Sequence, residues 1–184
     1  MVYIILIAII LFAIMSYNGL VRARQQTKEA WSNIDTQLKR RYDLIPNLVE
    51  TVKGFAKHEA ETLEAVIKAR NIAMGDQNAS AEQRAKDESA LSGTLKSIFA
   101  LSESYPDLKS NQNYLNLQQE LADTEDKIQA ARSFYNTSVL SLNSKIESFP
   151  SSIFASLYGF QKEAFFELDE AEKKLVQEAP KVSF

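Results

Sequence analysis

The chain has no cysteine, one histidine, five glycines and four prolines in 184 residues. Without cysteine there are no disulfides, no thiolate zinc sites and no cysteine nucleophile. Scarce glycine and proline, with few β-branched runs, argue against a β architecture. Charge of one sign is also missing: 21 basic residues stand against 24 acidic ones, for a net charge of −3. No overall basic field therefore favours nucleic acid. Neither a glycine-rich phosphate loop nor a G-x-S-x-G elbow occurs.

The most consequential absence is local. Met1 to Met15 reads MVYIILIAIILFAIM, and no charged side chain occurs before Arg22. At about 1.5 Å per residue, roughly 20 helical residues cross a hydrocarbon layer of about 30 Å. A cleaved signal peptide would open on a positive segment and close on small residues. Here the apolar run starts at Val2, and Arg22, Arg24 and Lys28 follow it. Residues 1–21 are therefore read as a retained single-pass anchor, in preference to a signal peptide or a buried core helix. Those three cations place the following residues in the cytoplasm and the N-terminus outside. The expected location is the inner membrane.

The remainder, residues 22–178 with a short tail at 179–184, is of single-domain length. Trp31, Ile34, Leu38, Tyr42 and Ile45 recur at three- and four-residue steps, one apolar stripe on a first helix. Pro46 is expected to kink or restart it, with Asp43 capping the restart. A second helix is expected from Pro46 to about Met74. Ser80 with Gln83 fits a capping box for a third, carrying Leu91, Leu95, Ile98 and Leu101. The fourth is the most periodic: Tyr114, Leu117, Leu121, Thr124, Ile128, Ala131 and Tyr135, then Val139, Leu142 and Ile146 after one stutter. A last amphipathic helix is expected from Ser152 to about Gln177. The fold class is all-α: a transmembrane helix followed by an elongated antiparallel bundle of about four long helices.

These segments resemble the LemA family of bacterial membrane proteins. The carriers are Tyr17-Asn18, Leu20-Val21 and Arg24, then Ala30-Trp31-Ser32 with Ile34-Asp35. The densest block runs from Gln37-Leu38-Lys39-Arg40-Arg41 through Asp43-Leu44-Ile45-Pro46-Asn47-Leu48-Val49 to Val52-Lys53-Gly54. Later carriers include Glu120-Leu121, Thr124-Glu125, Ala131-Arg132, Tyr135-Asn136, Phe149-Pro150, Gly159-Phe160 and the ending Pro180-Lys181-Val182-Ser183-Phe184. Leu142-Asn143 departs from a more usual Tyr-Asn pair. The resemblance implies a membrane helix, a cytoplasmic bundle and no established catalytic activity. It also implies, in different branches, links to internal bacterial membranes and to membrane-bound metalloproteases.

Candidate chemistry is thin. His58-Glu59-Ala60-Glu61-Thr62 misses the zinc motif H-E-x-x-H because position 62 is Thr. No metal site, cofactor or catalytic residue is expected. Lys39-Arg40-Arg41 would lie about 30 Å beyond Val21 on a continuous helix, far outside the roughly 8 Å screening length. They are read as a solvated face or as partners in ion pairs. Arg22, Arg24 and Lys28 remain the lipid contacts, worth at most about 1 kcal/mol each. Asp35, Arg41, Asp43, Glu120, Glu125 and Arg132 are expected to pair across helices and fix register. Trp31, Arg40, Pro46 and Phe160 join them as bundle or subunit contacts. Phe184 is expected to dock onto a neighbour or the bundle, on its match to the family ending.

The function expected is a non-enzymatic membrane scaffold that self-associates into a high-order homo-oligomer and shapes or organises membrane. The alternative is an adaptor or regulator of a membrane-bound protease or other membrane protein. The bilayer is a partner under either reading, and nucleic acid under neither.

Overall fold

A computed structural model describes residues 1–75 and 79–167. Among the described residues six helices follow in order: α1 Val2–Phe55, α2 Ala60–Gly75, α3 Ala81–Ser102, α4 Pro106–Lys109, α5 Gln112–Glu147 and α6 Ser151–Leu157. No strand occurs among the described residues, and the fold is all-α. The described residues divide into two compact units, one of residues 1–36 with 128–165, the other of 37–75, 79–127 and 166–167. Helices α1 and α5 contribute to both.

In the first unit, Ala30 and Ile34 of α1 and Ile128, Tyr135, Val139 and Leu142 of α5 are buried, as is Ala155 of α6. Trp31 packs its ring 5.1 Å from that of Tyr135. In the second unit the buried side chains are Leu38, Ile45, Leu48 and Val52 of α1, Leu63 and Val66 of α2, Leu91, Leu95 and Ile98 of α3, and Leu121 of α5. Each large aliphatic side chain so buried contributes roughly 1.5–3 kcal/mol. The heptad seam expected for the fourth helix is the buried face of α5.

Three expectations need correction. First, α1 neither stops nor restarts at Pro46; it runs through to Phe55, so Asp43 caps nothing and is simply exposed. Proline lacks an N–H, which leaves the Tyr42 carbonyl four residues earlier without its helical donor. Arg70 of α2 supplies one, donating Nε to Tyr42 O at 2.7 Å. Second, the break falls at Ala56–Glu59, and α2 begins at Ala60 with Glu61 in its first turn. An acidic residue there complements the helix dipole. At α3, Ser80 caps as expected, accepting from Gln83 N at 3.2 Å. Gln83 Nε2 in turn donates to Asp87 Oδ1 one turn on, at 2.9 Å.

Third, the last helix ends at Leu157. Gly159 takes φ +67°, a left-handed conformation that costs glycine little. Phe160 N then donates to Ala155 O at 2.9 Å and Gly159 N to Ser156 O at 3.3 Å. This is a Schellman closure, which satisfies the final carbonyls and stops the helix. Residues 161–167 are non-helical. They are tied to α5 by the Asn143 side chain, which accepts from Glu163 N at 3.0 Å and donates to Glu163 O at 2.9 Å. Tyr135 OH adds a bond to Ala164 O at 2.9 Å. The rest of the expected helix, to Gln177, lies outside the described residues.

Candidate functional site

The densest polar constellation sits inside the second unit. Arg41 is only 1% exposed, although it follows two exposed cations, Lys39 and Arg40. Its place in the α1 stripe, three residues after Leu38, turns it inward. Nη2 pairs with Glu88 of α3. Nη1 donates to Glu125 Oε2 of α5 at 2.6 Å and to Ser92 Oγ of α3 at 3.0 Å. The other oxygen of Glu88 accepts from Tyr42 OH. With Arg70 on the Tyr42 carbonyl, residues 41 and 42 tie α1 to α2, α3 and α5.

Burial pushes the Arg41 guanidinium below its ordinary pKa, and the charge of Glu125 opposes that shift. A guanidinium still stays protonated at neutral pH. One buried cation faces two carboxylates, and the excess negative charge is relieved at Glu125, which reaches solvent with its side chain 36% exposed. Such a cluster is worth little net stability when intact, but breaking it costs about 3–5 kcal/mol because a charge is stranded. What the structure shows there is a buried ion-pair cluster joining α1, α3 and α5.

The other candidates are dispersed. Arg40 lies 3.8 Å from Glu120, both side chains about half exposed, a pair of small energetic weight. Asp35 and Arg132 are half-buried in the first unit, and Pro46 is half-buried in the second. Arg22, Arg24 and Lys28 are all exposed. Arg24 places its guanidinium carbon 5.0 Å over the ring of Phe160, which also packs 6.1 Å from Tyr17. His58 is exposed in the turn between α1 and α2. Among the described residues no group of three or more His, Asp or Glu side chains is placed to hold a metal. Phe184 lies outside the described residues.

Glu88, Ser92 and Arg70 were not among the expected site residues. Glu88 does carry a signal in the sequence: it continues the α3 stripe of Leu91, Leu95 and Ile98 one step back, so a carboxylate occupies an apolar register position. Arg70 has no such signal, since its role depends on a proline in another helix.

Burial and charge define the class: an all-α protein with a buried charge cluster and, among the described residues, one helix, α1, long and apolar enough to cross a membrane. The most apolar 18 residues of that helix are only 6% buried, which fits a single-pass membrane protein. The chain belongs to the LemA family, whose model matches residues 30–184. It is 31% identical to Protein LemA of Metamycoplasma hominis, over 85% of this chain and 71% of that one. It is 25% identical to Magnetosome protein MamQ of Magnetospirillum gryphiswaldense, over 88% of this chain and 68% of the relative. Magnetosome protein MamQ 2 of Paramagnetospirillum magneticum matches over the same shares at 24% identity.

Proposed function

We propose that this protein is a non-enzymatic, membrane-anchored helical scaffold that self-associates in the plane of the bacterial inner membrane. The observation that carries the reading is the uncovered apolar length of α1, continuous in one helix with the packed core. Apolar surface of that extent needs lipid around it. Arg22, Arg24 and Lys28 then set the N-terminus outside and the helical units in the cytoplasm. Anchoring confines copies to two dimensions, which raises their effective concentration for lateral contact. Phe134 and Leu140 of α5, exposed on the first unit, are suitable contact residues. The LemA and MamQ relatives support a non-catalytic membrane role.

The deciding experiment is the mass of the full-length protein in nanodiscs, measured by light scattering beside a fragment starting at Gln25. A large uniform assembly of the full-length chain is expected. Monomers of both forms would remove the scaffold mechanism. They would favour a second reading, an adaptor or regulator of a membrane-bound protease or other membrane protein. One feature supports that alternative: an open groove of about 760 Å³ along α1 and α2, lined by Val49, Leu63 and Ile67 with Lys53 and Lys68. A protein co-purifying at fixed stoichiometry would be its mark.

A further inference from the structure

We infer that α6 and its flanking turns form a second membrane-inserted element, an uncharged excursion that dips into the leaflet beside the anchor helix. The inference rests on the anchored reading of α1 and does not depend on which way the chain faces.

The sequence sets the element apart. Lys145 and Glu147 end α5, no charged residue occurs from Ser148 to Gln161, and charge resumes at Lys162 and Glu163. The two ends of this stretch are joined, because Lys162 pairs with Glu147. An uncharged stretch closed at its base by an ion pair is the pattern expected where the base meets headgroups and the rest meets hydrocarbon.

The geometry of the first unit gives its depth. Lys145 Nζ reaches the Gly19 carbonyl at 3.3 Å, so α5 arrives beside α1 close to the end of the apolar run. Beyond that point the chain goes deeper. Tyr158 packs its ring 4.8 Å from Tyr17, and Phe154 lies 6.3 Å from Phe12. Phe12 stands ten residues before Arg22, about 15 Å along the helix. If the apolar run lies in a bilayer, α6 cannot stay outside it.

The exposed side of α6 suits that position. Ile153 and Leu157, one helical step of four apart, are 57% and 72% exposed, with Phe149 at 81% and Tyr158 at 58%. In water this is a costly apolar patch. In a leaflet it continues the lipid-facing surface of α1, with Tyr158 as an amphipathic ring suited to the interface.

Backbone groups also need internal partners at membrane depth. Ser151 Oγ donates to the Lys145 carbonyl at 2.6 Å and lies 2.9 Å from that of Ser148. Ser152 N bonds Ser148 O at 2.8 Å, and the Schellman closure at Gly159 satisfies the other end.

The natural absence of cysteine makes the test direct. Ile153→Cys, Leu157→Cys, Ile9→Cys on the anchor and Gln129→Cys on exposed α5 are each labelled with an environment-sensitive fluorophore. The full-length chain is placed in vesicles of phosphatidylethanolamine and phosphatidylglycerol. Positions 153 and 157 are expected to give blue-shifted emission, lost to nitroxides on the upper acyl chain and spared by aqueous iodide. Position 9 should behave alike, and position 129 the reverse. Iodide quenching at 153 and 157, with position 9 still quenched from lipid, overturns the inference and leaves the anchor standing. Protection from both quenchers also overturns it and marks the face as a contact between copies. Loss of lipid quenching at position 9 overturns the anchored reading and this one together.

Discussion

Arg70 donates its Nε to the carbonyl of Tyr42 at 2.7 Å, and that carbonyl is the one Pro46 cannot reach. The proline expected to kink or restart α1 is therefore accommodated within it by a side chain from the next helix. The pair Tyr42 and Arg70 turns a local defect into a tertiary bond, because the freed carbonyl accepts only if α2 is in place.

Replacing Arg70 with methionine removes the donor that stands in for the missing proline N–H at the part-buried Tyr42 carbonyl, at an expected cost of about 1–3 kcal/mol. In a Pro46→Ala background the helix regains its own N–H donor, and the same substitution should cost much less. Denaturant unfolding of the four proteins in the cycle measures the difference. Strictly additive costs would separate Arg70 from the proline and end the argument.

The Arg41 cluster makes a ranked prediction. Arg41→Met strands Glu88, whose side chain is 5% exposed, and should destabilise the second unit by about 3–5 kcal/mol. Glu125→Gln should cost distinctly less, since Glu125 reaches water and Glu88 remains opposite the guanidinium. A triple replacement by apolar residues should recover most of the loss, as buried charge groups removed together often do. Thermal melts followed by helical signal test the ranking; equal losses for Arg41→Met and Glu125→Gln would contradict it.

How far the fold was legible follows from the range over which each signal acts. The α5 seam spans Tyr114 to Ile146, long enough for periodicity to fix both type and face. Pro46 misled because its rule concerns a helix alone, and Arg70 is supplied from outside it. At Gly159 two local signals conflict. Phe154, Leu157 and Phe160 keep a three-residue spacing across the glycine, so periodicity extends a helix that backbone conformation ends. In the site, Arg41, Glu120 and Glu125 were legible from their positions beside apolar seams. Glu88 was legible only as a breach in the α3 stripe, and Arg70 not at all.

Tyr135 yields a prediction in pH. Burial, with a smaller contribution from Glu163, pushes its phenol up to about 12. The unfolded chain ionises it near the ordinary value of about 10. The folded state therefore holds the proton more tightly, and by linkage stability falls with rising pH wherever the folded form binds more protons than the unfolded one. The contribution is fully present below pH 10, where both states are neutral, and is lost as pH climbs through 12. Lysines titrate over the same window, so the wild-type profile alone does not isolate the phenol. Tyr135→Phe does: it removes the ionisation along with the bond to Ala164 O. The variant should be less stable at neutral pH, yet the gap to wild type should narrow steadily between pH 10 and 12. Urea midpoints at intervals across that range provide the measurement. A gap that stays constant would mean the phenol ionises alike in both states, and burial at Tyr135 would then carry no electrostatic weight.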